Sequence, residues 1–336
     1  MKRNPIVSII LPYYNAEETL SRAAESMLNQ SFPNFELLLV DNNSTDGSYT
    51  VAQNFAEKDC RVHNLSESRQ GVDFAMNCGL KNAMGKYIAR MDADDVSHRL
   101  RLEKQVEFLE KNPEYGLVGS SVRYVPHSSN TNGFRRFVNW VNSFSTFGEI
   151  KINRFIEIPI VNPTILFKRD LYERFGGCRH GDFPEDYEMQ LRYLDAGVRM
   201  AKLPEPLLEW HDYSHRLTRT NERYTTEAFF NVKAEYFRKW SCQNNVLHPR
   251  VWVWGAGRKT RRRASLIESG GITIEGYIDV VKNKTTVKTT LHFTEVPPPG
   301  KMFIVAMVGS YGAREQIRQY LIKKRYTDGK DFVFLV

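Results

Sequence analysis

The sequence predicts an α/β protein with a doubly wound, mostly parallel sheet and a second, small α/β domain. Short apolar runs rich in Val, Ile and Leu alternate with helix-forming segments across short connections, which is typical of parallel βαβ units. The chain of 336 residues is also long enough for about two domains, and the strand and helix pattern begins again near His248.

The elements of the larger sheet follow one another through residue 220. The predicted strands cover residues 5–11, 35–40, 61–65, 86–91, 117–121, 164–167 and 207–210. The predicted helices cover residues 17–30, 48–56, 73–82, 99–112 and 187–197. Pro12 is expected to break the first strand, and the polar stretch 125–133 predicts a loop. These elements predict a domain over residues 1–220.

A helical connector over residues 221–247 and a small domain over residues 248–336 are predicted to follow. Gly255-Ala256-Gly257 lies after a strand, and Asp279 comes 24 positions after Gly255, which outlines a dinucleotide-binding fingerprint. However, Thr260 replaces the third glycine, and the segment is short. A structural half-Rossmann unit is therefore favoured over a cofactor site.

Three carboxylates crowd together after the strand 86–91, at Asp92, Asp94 and Asp95. Such crowding is unfavourable unless a cation or hydrogen-bond donors offset it, and hard oxygen ligands suit Mg²⁺ or Mn²⁺. The alternative is a solvated acidic turn before the next helix. Pro12 and Asp41 also follow predicted parallel strands, so they are expected at the same sheet edge as Asp92, where such sheets bind ligands.

The composition and the charge distribution of the chain indicate which classes of partner it can have. No apolar run approaches the roughly 18 residues of a membrane span, so we expect a cytoplasmic protein with four free cysteine thiols. The net charge of +8 arises between residues 211 and 263, which hold 12 Lys or Arg against 4 Asp or Glu. This basic segment is expected to be either a surface for RNA or anionic lipid, with peripheral membrane attachment, or a solvated helical face.

Taken together, these motifs resemble the family 2 glycosyltransferases, which have the GT-A fold. The resemblance runs from about residue 6 to residue 214. Its motifs are the strand Ser8-Ile9-Ile10-Leu11-Pro12-Tyr13-Tyr14-Asn15, the loop 41–48, Gly71 with Asn77 and Gly79, Asp92-Ala93-Asp94, and Glu185-Asp186. The resemblance implies an inverting, metal-dependent hexosyltransferase that uses a nucleotide sugar, with a UDP-linked sugar expected.

The resemblance also implies roles for individual residues. Asp41 would contact the nucleobase or the ribose, Asp92 would lie near the ribose, and Asp94 would bind Mn²⁺ or Mg²⁺. Asp186 would be the general base, and His211 would be a further metal ligand or a donor to the diphosphate.

Other motif positions are implied to contact the donor. Pro12, Tyr14 and Asn77 lie in the matching motifs. The family motif commonly carries an Arg before its Asn, whereas Met76 stands here. The phosphate contact would then come from Arg69 or Arg90.

The acceptor is less determined. The last ninety residues together with the catalytic motifs resemble the β-1,3-N-acetylglucosaminyltransferase-like proteins, a resemblance that permits transfer to a modified nucleoside of tRNA. A glycan or a lipid-linked sugar is the expected acceptor, and tRNA is the alternative. A non-catalytic or dinucleotide-binding protein is the alternative from another class, and the oligomeric state stays open.

Overall fold

The computed structural model describes residues 4–127, 131–214, 216–282 and 286–336. The chain divides into two compact units. The first comprises residues 1–150, 159–181 and 188–220, and the second comprises residues 151–158, 182–187 and 221–336. The helix predicted as a connector therefore groups with the second unit. Two short segments from the middle of the chain do so as well, which no sequence pattern indicated.

The first unit is built on a mixed, mostly parallel sheet. Its strands are β1 (Val7–Tyr13), β2 (Phe35–Asp41), β3 (Val62–Ser66), β4 (Tyr87–Arg90), β5 (Val96–Ser97), β6 (Tyr115–Pro126), β7 (Leu166–Lys168) and β8 (Arg199–Asp212). Among the described residues their order is β3-β2-β1-β4-β7-β6-β8-β5. Strand β7 runs antiparallel to β4 and β6, and β5 runs antiparallel to β8, whereas the other pairs are parallel. The predicted fold class is confirmed.

The helices through residue 220 pack against this sheet or lie in its connections. They are α1 (Leu20–Leu28), α2 (Ser48–Lys58), α3 (Val72–Asn82), α4 (Arg101–Lys111), α5 (Asn132–Val141), α6 (Phe147–Asn153), α7 (Arg169–Phe175), α8 (Glu185–Asp195) and α9 (Leu217–Thr220). No helix in the described ranges has the length and apolar character of a membrane span.

The loop predicted for residues 125–133 is wrong at both ends. Strand β6 continues to Pro126 because it pairs with β8 along its whole length, ending with Pro126 opposite Asp212. Helix α5 begins at Asn132, and residues 128–130 lie outside the described residues. Tertiary pairing and packing thus override a locally polar, turn-rich sequence.

Pro12 does not break the first strand, as had been predicted, because β1 runs on to Tyr13. The pairing of β1 with β4 ends at Ile10 opposite Arg90. The backbone groups of Pro12 point toward β4, as those of Ile10 do, because alternate residues of a parallel strand bond to the same neighbour. Pro12 pairs with Val40 of β2 but lies beyond the last residue that is paired with β4, so its missing N–H breaks no ladder hydrogen bond.

The second unit is a smaller, entirely parallel α/β layer. Its strands are β9 (Arg250–Trp254), β10 (Thr273–Asp279), β11 (Thr289–His292), β12 (Ile304–Ala306) and β13 (Phe332–Phe334), with α10 (Thr226–Asn244), α11 (Arg258–Ser269) and α12 (Ala313–Lys323). In the described residues the order is β11-β10-β9-β12-β13. This is the doubly wound order 3-2-1-4-5, so the unit exceeds the predicted half-Rossmann arrangement. The sequence pattern did not reveal β11.

Candidate functional site

The site is built where β1, β2 and β4 end side by side. Tyr13 pairs with Asp41 at the end of β1 and β2, and the backbone N–H of Asn42 donates to Tyr13 O at 2.9 Å. Beyond β4, the N–H of Met91 donates to Ile10 O at 3.0 Å. The carboxyl ends of three parallel strands therefore form one edge, which carries Pro12, Asp41 and the acidic stretch.

The loops that follow β1 and β2 are locked together by side chains. The Asn15 Oδ1 atom accepts from Thr45 N at 2.8 Å, and the Ser48 Oγ atom accepts from Ala16 N at 2.7 Å. Tyr14 remains 49% exposed on this rigid edge, where its ring can receive a ligand. A donor contact by Tyr14 stays a prediction.

Asp41 and Asn42 organise the end of β2. Asp41 is buried, and its Oδ1 atom accepts from Ser44 N at 3.2 Å. The Asn42 side chain donates to Arg69 O at 2.7 Å and accepts from Gly71 N at 2.8 Å, which fixes the loop after β3. Sequence reasoning missed Asn42, although an amide beside a strand-end Asp is a signal for such a role.

Asp92, Asp94 and Asp95 form one carboxylate group, because each offers an oxygen within 4.8 Å of the others. Asp95 is fully buried, and its Oδ1 atom accepts from His211 N at 2.9 Å. Its Oδ2 atom has no hydrogen-bond partner among the described residues. Burial, and then the charge of Asp94, raise the pKa of Asp95 well above its usual value. A buried oxygen without a partner and two half-exposed carboxylates fit a hard divalent cation.

Arginines surround this carboxylate group. Arg90 Nε lies 3.0 Å from an Asp92 oxygen, and Arg216 lies 3.8 Å from Asp95 Oδ1 and 4.0 Å from Asp94 Oδ2. Arg22 Nη2 donates to Asp94 O at 3.2 Å. The other predicted phosphate ligand, Arg69, is exposed and pairs with Glu67 at 2.9 Å, and its contact with the donor stays a prediction. Sequence reasoning missed Arg22 and Arg216, the latter because it was counted with the surface charge of the basic segment.

His211 lies at the end of β8, near the carboxylate group. Its Nδ1 atom lies 2.8 Å from His127 Nε2, and its Nε2 atom has no hydrogen bond to a described residue. Burial, and then the charges of Arg22 and His127, lower the pKa of His211 to about 4, so the ring is neutral. The described residues with metal-ligand spacing are the three aspartates and do not include His211. Its role as a further metal ligand stays a prediction.

The Asn77 amide forms two hydrogen bonds with the backbone of Cys178. Its Nδ2 donates to Cys178 O at 2.7 Å, and its Oδ1 accepts from Cys178 N at 3.0 Å. The backbone passes so close that a Cβ atom on Gly177 would lie 2.2 Å from Asn77 Oδ1. Asn77 thus fixes this loop to helix α3, while its predicted contact with the donor stays a prediction.

Asn77→Ala is expected to lower the free energy of unfolding by about 2 kcal/mol, since two backbone groups lose their partners. Urea unfolding measures this loss. Asn82→Ala is the matched control, because Asn82 is exposed at the end of the same helix and its side chain bonds, among the described residues, only to Cys78 O of that helix. A stability equal to that of the wild type would contradict the structural role, and an added loss of UDP affinity would reveal a donor contact.

The predicted catalytic pair, Glu185 and Asp186, opens helix α8 within the second unit. Glu185 is 2% exposed, and its carboxylate accepts from the Tyr224 hydroxyl at 2.8 Å with Arg223 3.8 Å away. Asp186 is half-buried and accepts from Tyr187 N at 2.7 Å. Of the two carboxylates, Asp186 is the more accessible to a substrate hydroxyl.

Comparisons with known proteins agree with this architecture. Residues 8–176 match the family model described as glycosyl transferase family 2. The putative glycosyltransferase EpsE of Bacillus subtilis is 32% identical over 68% of this chain and 80% of its own length. The O-antigen biosynthesis glycosyltransferase WbnJ of Escherichia coli is 27% identical over 71% of this chain and 92% of its own length.

Solved structures share the fold at low identity. S. aureus TarS 1-349 in complex with UDP-GlcNAc has a TM-score of 0.57 and 16% identity, covering 79% of this chain and 71% of that one. The mannosyltransferase PcManGT of Pyrobaculum calidifontis in complex with GDP-Man and Mn²⁺ has a TM-score of 0.52 and 18% identity, covering 80% and 74%. The relatives named here do not bear on the closer resemblance to β-1,3-N-acetylglucosaminyltransferase-like proteins, which stays a prediction. From the family model and the similarity to EpsE it follows that this chain is a glycosyltransferase of family 2.

Proposed function

We propose that this protein transfers a hexosyl group from a nucleoside diphosphate sugar to a glycan hydroxyl, with Mn²⁺ or Mg²⁺ and with inversion at the anomeric carbon. The observation that carries the proposal is the Asp92, Asp94 and Asp95 group, with its partnerless buried oxygen, at the carboxyl edge of the sheet. The ligands of TarS and PcManGT support a nucleotide-sugar donor, and UDP is the expected nucleotide.

The residues divide the reaction between them. Asp94, with Asp92 and Asp95, would hold a divalent cation, which when bound offsets the charge that develops on the departing diphosphate. Asp41 and Tyr14 would hold the nucleoside. Asp186 would take the proton from the acceptor hydroxyl as the new C–O bond forms and the bond to the diphosphate breaks. A single displacement of this kind inverts the anomeric centre.

A glycan is the acceptor class that the names of the relatives favour, and a lipid-linked sugar stays an expectation from the sequence. WbnJ is named for O-antigen biosynthesis, and the similar protein TuaG of Bacillus subtilis is named as a putative teichuronic acid biosynthesis glycosyltransferase, with 38% identity over 35% of this chain and 48% of its own length. Both names refer to polysaccharides. The cytoplasmic location expected from the sequence stays a prediction, as does peripheral attachment to a membrane.

The tRNA alternative gains no support from the basic segment. Lys233 is buried and donates to Ile156 O at 2.6 Å, so it cannot contact a phosphate. Of the other 11 cations, Arg216 lies at the Asp94 and Asp95 carboxylates, and five more form ion pairs. These five pairs are Arg219–Asp212, Arg223–Glu185, Lys239–Glu235, Arg250–Glu275 and Arg262–Glu227. The segment therefore presents less free positive charge than its composition suggests.

The dinucleotide alternative is also weakened. Asp279, which would accept a ribose hydroxyl in such a site, accepts instead from Ala256 N at 2.9 Å and from Val281 N at 3.0 Å. Thr260, in place of the third glycine, donates to Met307 O at 3.2 Å. These bonds close the turn between β9 and α11 and favour a structural role for it.

The test is a transfer assay with labelled UDP-glucose, UDP-galactose, UDP-GlcNAc and GDP-mannose, each with Mn²⁺ or with a chelator. A lipid extract, soluble oligosaccharides and total tRNA serve as parallel acceptors. We expect chelator-sensitive label in the lipid or oligosaccharide fraction. Label in tRNA alone would show that tRNA, and not a glycan, is the acceptor. Thermal stabilisation of the protein by NAD but by no sugar nucleotide would overturn the proposal.

A further inference from the structure

The acidic group is surrounded by arginines whose side chains are buried or nearly so. The carboxylates are those of Asp92, Asp94 and Asp95, and the guanidinium groups are those of Arg90, Arg101 and Arg216. These positive charges offset part of the attraction that the carboxylates exert on a lone cation. A cation and an anion that arrive together can provide partners for the carboxylates and the arginines at the same time.

Arg216 lies farther from its neighbouring carboxylates than Arg90 does. Arg90 forms a 3.0 Å hydrogen bond with Asp92, whereas Arg216 stays 3.8–4.0 Å from Asp94 and Asp95, too far for hydrogen bonds. Its Nη1 donates to His211 O at 2.5 Å, and its Nε and Nη2 donate to no described residue. The charge is held near the acidic group while these two nitrogens remain available for other oxygens.

A fixed platform holds this guanidinium in place. It lies over the Trp210 ring, 4.4 Å from the centroid, and Trp210 packs against Phe134 and Phe137. A planar guanidinium stacked on an aromatic ring suits bidentate binding of phosphate oxygens.

We propose that Arg216 couples metal binding to nucleotide binding, serving as the counter-ion of Asp94 and Asp95 until both ligands arrive and then pairing with the donor's diphosphate. The inference rests on the proposed function. A divalent cation alone competes with the guanidinium for the same carboxylates, whereas a diphosphate that arrives with the cation gives Arg216 a new partner. By linkage, cation and nucleotide raise each other's affinity by the same factor.

The experiment measures Mn²⁺ binding to the full chain by electron paramagnetic resonance, with and without UDP or GDP, and nucleotide binding at saturating Mn²⁺. In the wild type, whichever of UDP and GDP binds more tightly should raise the Mn²⁺ affinity about tenfold or more. Arg216→Gln should bind Mn²⁺ alone more tightly and the nucleotide less tightly. Opposite changes in the Mn²⁺ affinity and the nucleotide affinity would indicate the coupling, because a merely structural defect would lower both affinities.

Two further variants complete the design. Arg216→Lys keeps the charge without the planar donors, so Mn²⁺ alone should bind as in the wild type and the nucleotide more weakly; it decides the question if Arg216→Gln does not fold. Arg199→Gln, which removes an exposed charge at the other end of β8, should change neither affinity.

Either of two results for Arg216→Gln would overturn the coupling while leaving the proposed function intact: both affinities unchanged, or both lowered. If the wild type with Mn²⁺ bound neither UDP nor GDP, the coupling and the proposed function would fail together.

Discussion

Asp94→Asn is expected to lower turnover by about 10²–10³-fold and to abolish the dependence of nucleotide binding on Mn²⁺. Asp94 belongs to the carboxylate group with metal-ligand spacing, and its neighbour Asp95 is fully buried. Steady-state transfer assays and calorimetric titration of UDP with and without Mn²⁺ measure the two effects.

Asp170→Asn is the matched control for this variant. Asp170 is exposed on α7, and the one ion pair that its carboxylate forms with a described residue is a long one of 3.9 Å with Arg174, so its replacement should leave both quantities unchanged. Mn²⁺-dependent nucleotide binding that survived in Asp94→Asn would show that the cation binds elsewhere.

Asp186→Asn is expected to lower kcat by about 10²–10⁴-fold while the affinity for the nucleotide donor stays near that of the wild type. The separation follows because the carboxylate acts on the acceptor proton and not on the diphosphate. Steady-state transfer gives kcat, and equilibrium binding of the sugar nucleotide gives the affinity.

Two neighbours of Asp186 make the comparison specific. Asp182→Asn alters an exposed carboxylate of the preceding loop and should keep full turnover. Glu185→Gln should mainly lower the melting temperature, because Glu185 is buried against Tyr224 and Arg223. Near-normal kcat in Asp186→Asn would assign the base to another residue.

The larger sheet could be predicted because its central strands are short apolar runs that end in polar residues. Strands β1, β2 and β4 are buried on both faces, and such strands appear in a sequence as uninterrupted hydrophobic segments. The edge strands β5 and β11 were missed because they have only two and four residues of mixed polarity, which show no hydrophobic periodicity. Their pairing depends on neighbours that are distant in sequence.

The aspartates of the candidate site and Arg90 could be predicted from the sequence, whereas two of its other arginines could not. Asp92, Asp94 and Asp95 are adjacent in sequence, so their crowding shows in the sequence itself. Arg22 and Arg216 reach the same place from opposite ends of the first unit, and only the fold brings them to Asp94. The resemblance likewise named Asn77 as a donor ligand, without showing that its amide is bonded to Cys178.

Anomalous diffraction from crystals grown with Mn²⁺ and UDP tests the central claim most directly, because it locates the cation and the diphosphate at once. The account predicts an Mn²⁺ peak bound by Asp94, with the diphosphate on the same cation. Nucleotide bound at the turn Gly255-Ala256-Gly257, with no Mn²⁺ at the aspartates, would contradict it.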